Sequence, residues 1–309
     1  MAGLSVRLFR NIEIERDGQT LADINARKVQ ELFCYLLLYK ERAHHREVLA
    51  SLLWANSSTA QSKRYLRQAL WRLQAHLGCQ VESIRGRVFL VDPEWVRVNP
   101  TADLWLDVAQ FEETFAHVEG VRGQTLDAVQ AQALRNALDL YRGDLLEGWF
   151  QDWCLYERER LQNVYLAILD KLMNYCEAQG EYEAGLTYGG RILSHDGARE
   201  RTHRRLMRLY HLSGDRTDAL RQYDCCVKAL RRELGVRPSA RTIALCQQIR
   251  EERSPSSVQS SASTIVPTTS DTSQRSEMLH HLKALEKTLA KTQGLLHQVI
   301  QVMEPTTKD

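Results

Sequence analysis

The sequence lacks the marks of most catalysts. It has no phosphate loop of the G-x-x-x-x-G-K-[ST] form, no G-x-S-x-G nucleophile turn, no dinucleotide fingerprint and no run of residues with metal-ligand spacing. A role without catalysis, cofactor or metal is therefore expected. Long apolar runs are missing too. The most apolar patch, Leu32 to Tyr39, is too short to span a bilayer and is flanked by charges. The opening residues Met1-Ala2-Gly3-Leu4 have neither a basic flank nor an apolar signal core, so a cytoplasmic protein with no membrane partner is expected. The seven cysteines (Cys34, Cys79, Cys154, Cys176, Cys225, Cys226 and Cys246) form no C-x-x-C pair and are odd in number, which argues against a disulfide framework. They read as reduced thiols, several at apolar helix positions. Strong net charge is also absent: the formal total is +2.

What the total hides, the distribution reveals. Residues 56–90 hold six basic residues against the single acid Glu82, a local net of +5, whereas residues 101–252 hold 20 basic and 24 acidic residues. Only the first of these stretches is suited to a phosphate backbone. Within it, Leu66, Leu70, Leu73 and Leu77 recur at helical spacing from Ala60 to Leu77, so one face seals a core. The opposite face carries Lys63, Arg64, Arg67, Gln68, Trp71 and Arg72. Gly78 is placed to stop the helix, and Val81 to Val98 follows as two β-rich runs, a hairpin that carries Arg85 and Arg87. A basic helix running into a short basic hairpin is the pairing that a winged-helix DNA reader needs.

The remaining chain divides by composition. At the N-terminus, alternation at Leu4, Val6 and Leu8, then Ile12 and Ile14, with an Asp17-Gly18 turn, predicts a small leading sheet. Helices are expected near Arg27 to Lys40 and Arg46 to Leu53. From Leu104 onward the pattern is helical, and a shift of 34 residues lays Leu172 on Leu206, Gly180 on Gly214, Glu181 on Asp215 and Leu186 on Leu220. This is the repeat of a tetratricopeptide-like array, with a diverged earlier hairpin near Ala137 to Tyr141. A long helix from Asp152 to Gln179 sits mid-array and Arg241 to Arg250 caps its end. Residues 254–276 are rich in Ser, Thr and Pro and read as a flexible linker. Beyond them Met278, Leu282, Leu285, Leu289, Leu296, Val299 and Met303 keep a heptad spacing, which an oligomerising coiled coil, a helix packed on its own chain or a solitary amphipathic tail would each produce.

The predicted fold is thus mainly α: an N-terminal α/β winged helix-turn-helix (1–99), an all-α tetratricopeptide-like domain (100–252), a linker (253–276) and a C-terminal heptad helix (277–304). Arg64, Arg67 and Gln68 are the candidates for reading bases, since arginine can bond guanine and glutamine adenine bidentately. Lys63 and Arg72 are assigned to phosphates, and Arg85 and Arg87 to the neighbouring minor groove. Trp71 either packs on a sugar or thymine methyl or braces the fold. His44 and His45 read as solvated loop residues rather than metal ligands. Trp149, Trp153 and Tyr156 read as core or interface rather than a ligand cage.

Several strings in this frame resemble the streptomycete antibiotic regulatory proteins, bacterial regulators that join a winged helix to a transcriptional activator domain. They are Leu49-Ala50-Ser51-Leu52-Leu53-Trp54, Leu66-Arg67-Gln68-Ala69-Leu70-Trp71-Arg72-Leu73, Tyr141-Arg142-Gly143-Asp144-Leu145-Leu146, Tyr156-Glu157-Arg158-Glu159-Arg160-Leu161 and Glu233-Leu234-Gly235-Val236-Arg237-Pro238-Ser239. Gln74 and Ala75 stand where such helices often continue with arginines, and the terminal heptad is not usual in the family. The resemblance implies a sequence-specific DNA-binding activator on repeated promoter half-sites. Its partners would be double-stranded promoter DNA and RNA polymerase. Apart from the resemblance, the heptad spacing allows a homo-oligomer through the C-terminal helix, and the helical array could receive a small-molecule or protein signal. The alternative is a tetratricopeptide-type adaptor whose basic helix is only a charged surface.

Overall fold

A computed structural model describes residues 3–21, 26–77 and 87–251. The N-terminal part opens with β1 (Leu4–Arg7), β2 (Glu13–Arg16) and β3 (Gln19–Thr20), followed by α1 (Arg27–Leu38), the two-residue β4 (His44–His45), α2 (Arg46–Leu53) and α3 (Thr59–His76). Next come β5 (Phe89–Val91), β6 (Trp95–Val98) and β7 (Leu104–Leu106). β1 pairs antiparallel with β2, with Val6 opposite Ile14, and the alternation puts Leu4, Val6 and Ile14 inside. A second sheet has the order β4-β6-β5, with Phe89 opposite Val98 and His44 opposite Val96. The chain is mainly helical beyond this point, as expected.

Two features of the first sheet were not visible in the sequence. β7 joins its edge parallel to β1, with Ser5 opposite Trp105, so the chain returns to its starting strand after the winged-helix segment. At the end of β1, the backbone N–H groups of Leu8 and Phe9 donate to the Asp107 carboxylate at 2.9 to 3.0 Å, while the Arg10 N–H donates to the Asp144 carbonyl and the Leu146 N–H to the Leu8 carbonyl. The expected boundary at residue 99 is therefore crossed by a strand, a buried carboxylate and a run of main-chain bonds. Met1–Arg253 form one compact unit.

The array consists of α4 (Asp107–Ala116), a 3-10 turn (Gly123–Thr125), α5 (Ala128–Leu140), α6 (Asp152–Gln179), α7 (Tyr182–His195), α8 (Glu200–Leu212), α9 (Arg216–Leu234) and α10 (Ala240–Glu251). The 34-residue repeat is carried by the backbone. Gly180 ends α6 in the left-handed region (φ 77°) and Gly214 follows α8 in the same conformation (φ 87°), where a side chain would be strained. Leu172 and Leu206, the equivalent inward positions, are both buried.

The strings that resemble those of the regulator family act mainly as braces. The Arg158 side chain donates to the carbonyls of Leu145, Leu146 and Trp149 at 2.7 to 3.0 Å, and thereby fixes a loop in which Leu146 takes a positive φ of 47°. Tyr141 donates its hydroxyl to Asp144 at 2.7 Å. Gly235 caps α9 in the left-handed region, and the Glu200 carboxylate at the start of α8 accepts bonds from the Ser239 N–H and hydroxyl at 2.7 and 2.6 Å. Burial raises the Glu200 carboxyl, but these donors and Thr242 outweigh it and leave its pKa lowered.

The winged-helix helices are seated on this frame. Buried Glu31 of α1 accepts from the Gln151 side chain at 2.7 Å, the Arg27 guanidinium lies 3.9 Å from the Trp149 ring centroid, and Tyr35 meets Trp153 edge-on at 5.6 Å. Trp149 is buried at this junction and Tyr156 is exposed, which accords with an interface for the first. His44 departs from its expected solvated state. It is buried beside Tyr35 and Tyr39, with Nε2 3.0 Å from the Tyr39 carbonyl oxygen, and burial lowers its pKa. Among the described residues five of the six cysteines are buried and Cys225 is exposed. The expected linker and heptad helix lie outside the described residues.

Candidate nucleic-acid interface

The helix that carries the basic residues is well terminated. Ser58 accepts from the Gln61 N–H, and the Gln61 side chain returns the bond to the Ser58 N–H, a reciprocal capping box that pairs two otherwise open donors. Ser62, Leu66, Ala69, Leu70 and Leu73 face the core. The opposite face is open: Lys63, Arg64, Arg67, Gln68, Trp71 and Arg72 are all exposed. With a rise of about 1.5 Å per residue, the stretch from Lys63 to Arg72 covers about 13 Å of helix, comparable with the roughly 12 Å width of a major groove.

Their electrostatic states differ. Arg64, Arg67 and Arg72 have no hydrogen bond or ion pair among the described residues, so their guanidinium donors are free for an external acceptor. Lys63 is engaged: it pairs with Glu47 of α2 and, by that hydrogen bond, holds the Glu47 carboxyl below its usual range. Trp71 is 68% exposed, so most of its surface faces solvent on the same side as the arginines. Tyr65 lies nearer the α2 side, its ring 6.3 Å from Trp54.

α2 precedes α3 in the helix-turn-helix, and its start is tied to the β5–β6 turn. The Arg46 N–H donates to the Glu94 carbonyl at 2.8 Å and its side chain to the Asp92 carbonyl at 3.0 Å. His45 sits edge-on to Trp95 at 5.1 Å. A concavity of about 420 Å³ is lined by His45, Arg46, Lys63, Arg67, Pro93 and Glu94 among others, so the β5–β6 turn borders the exposed face of α3. That turn, Asp92-Pro93-Glu94, is acidic, which limits close phosphate approach on this side.

The hairpin expectation is therefore met in a shifted form. A hairpin of β5 and β6 spans Phe89 to Val98, inside the stretch read as two β-rich runs. Arg87 lies just before β5, exposed, and its carbonyl accepts from the Asn99 side chain at 2.8 Å. Arg85 lies outside the described residues. The sequence reading passed over Arg97 and Trp95, which project from the exposed side of β6. The alternation Trp95-Val96-Arg97-Val98 carried that signal. Among the described residues no group of acidic, histidine or cysteine side chains could hold a metal ion, and no helix is long and apolar enough to cross a membrane.

Residues 106–250 match the bacterial transcriptional activator domain. The chain is 26% identical over 234 residues to the regulatory protein AfsR of Streptomyces coelicolor, an alignment covering 76% of this chain and 23% of that protein, so the chain spans under a quarter of its relative's length. In fold it resembles Mycobacterium tuberculosis EmbR, solved in complex with a low affinity phosphopeptide: the TM-score is 0.67 at 21% identity, with 81% of this chain and 65% of that chain covered. With a winged-helix face joined to an array that matches the bacterial transcriptional activator domain over residues 106–250, the chain is similar to bacterial transcriptional regulators of the streptomycete antibiotic regulatory protein type.

Proposed function

We propose that the chain is a sequence-specific DNA-binding activator in which α3 enters the major groove of promoter DNA. The observation that carries this reading is the exposed stripe of Arg64, Arg67 and Arg72, unpaired among the described residues and set on a helix whose other face is locked in a core. Arg64, Arg67 and Gln68 read base edges, Arg72 positions a phosphate, and Trp71 packs against a sugar or thymine methyl. Lys63 must leave Glu47 before it can bind a phosphate, so its contribution is smaller. Arg85 and Arg87 serve the adjacent minor groove. One winged helix offers few contacts, and two copies on repeated half-sites would add affinity through effective concentration, with the C-terminal heptad as the joining element.

The array is assigned to RNA polymerase contact and to a regulatory signal, and the protein acts in the cytoplasm. Recovery of genomic fragments bound by the natural protein, compared with Arg64→Ala/Arg67→Ala at fixed salt, tests the proposal. A shared upstream motif that the double variant loses is the expected result. Fragments without a motif in both samples would leave the adaptor reading in its place.

A further inference from the structure

A second basic concavity lies on the array, away from α3. It has a volume of about 480 Å³, within the size range of small-ligand sites, and its walls come from the 3-10 turn, α6 and α8. Five cations line it: Arg122, Lys171, Arg199, Arg201 and Arg205. Asp170 is the single carboxylate in the lining, and two arginines already share it: Arg205 at 3.1 Å and Arg201 at 3.5 Å. Arg205 is also held by Glu177 at 3.4 Å. Arg122, Lys171 and Arg199 then have no carboxylate within ion-pair distance among the described residues.

Only part of this charge is spent on joining α8 to α6, through Asp170 and Glu177. Lys171 donates to the Val121 carbonyl, and burial lowers its pKa, with Asp170 and Glu119 opposing that shift only from a distance. A bound anion would favour its charged form. The wall is also closely set, since Gly123 packs so tightly on α6 that an added Cβ would meet the Lys171 carbonyl and the Asn174 side chain. Guanidinium forks from different elements, converging with an ammonium on one recess, match the oxygens of a phosphate better than a single carboxylate.

We infer that this recess binds the phosphate groups of a small phosphorylated metabolite and is where a chemical signal reaches the array. A recess between packed helices suits a compact anion, whereas a duplex backbone is met by projecting side chains such as those of α3.

Calorimetric titration of the full chain with pyrophosphate at about 0.15 M salt, without DNA, tests the inference separately from the DNA-binding reading. Saturable one-site binding is expected, weakened at least about tenfold in Arg122→Gln/Arg199→Gln. An equal charge change on α9, Arg231→Gln/Arg232→Gln, should leave it intact. The single variant Arg122→Glu, at an exposed position outside any helix, should lose binding while its melting temperature stays unchanged. Absence of saturable heat, or equal weakening by both double variants, would overturn the inference. So would a loss of promoter affinity in the first pair with no pyrophosphate binding, which would make the recess a DNA phosphate contact.

Discussion

Replacing Asp107 by Ala probes how the leading sheet is fastened to the array. The side chain is 1% exposed, and its two oxygens accept from the N–H groups of Leu8, Phe9 and Val108 at 2.7 to 3.0 Å. The substitution strands the Leu8 and Phe9 donors in a buried setting, at roughly 1–3 kcal/mol each, while the Val108 donor opens the first turn of α4 and is the easiest to rehydrate. The expected loss is therefore about 4 kcal/mol. For a unit of this size, at about 2–4 °C per kcal/mol, the melting temperature should fall by roughly 10 °C. Asp107→Asn keeps one acceptor but brings an amide donor against the same N–H groups, so a loss of about 2 kcal/mol or more should persist. Urea unfolding followed by circular dichroism, with the slope checked for two-state behaviour, supplies the measurement. A loss below about 1 kcal/mol in Asp107→Ala would refute the view that this carboxylate fastens β1 to α4.

Three other sites, the α3 cap, the 3-10 turn and His44, make predictions of their own. Ser58→Ala removes one half of the capping box on α3 and should cost about 1 kcal/mol, measured by urea midpoint; an unchanged midpoint would mean that the cap adds nothing. Gly123→Ala sets a methyl group against the Lys171 backbone and should destabilise the fold by about 1–3 kcal/mol, which thermal melting would detect, and a stabilised protein would contradict the packing described. His44, whose pKa is lowered by burial among Tyr35, Tyr39 and Arg42, binds fewer protons folded than unfolded below pH about 6.5, so stability falls as pH drops through that value. His44→Gln keeps a donor for the Tyr39 carbonyl without titrating; urea midpoints at about pH 7.5 and 5.5 should differ less for it than for the natural protein.

Periodicity made α2 and α6 legible to the residue, because each is bounded by a sharp local signal: His45 and Trp54 flank α2, and Gly180 closes α6. The exposed stripe of α3 was equally legible, since a helix with leucines on one face must turn its arginines to the other. Long-range pairing was not. β7 is three residues long and finds its parallel partner about a hundred positions earlier, which no local pattern encodes. His44 was misjudged partly for a similar reason, since its burial comes from nearby Tyr35 and Tyr39 and from a β6 partner, Val96, distant in sequence. Asp107 resembles any helix-opening acid until the end of β1 is brought to it. Trp71 was open between two roles, and the structure sets it on the exposed face of α3.

The central claim, that α3 reads DNA, is tested most directly by equilibrium binding to a recovered promoter site across a series of salt concentrations. The natural protein should bind with an affinity that falls steeply with salt, as phosphate contacts require. Arg64→Ala/Arg67→Ala should lose about 2–6 kcal/mol on that site, a weakening of roughly thirtyfold or more, with far less change on unrelated DNA. Equal affinity of the natural protein for the site and for unrelated DNA, or an intact preference in the double variant, would contradict the account.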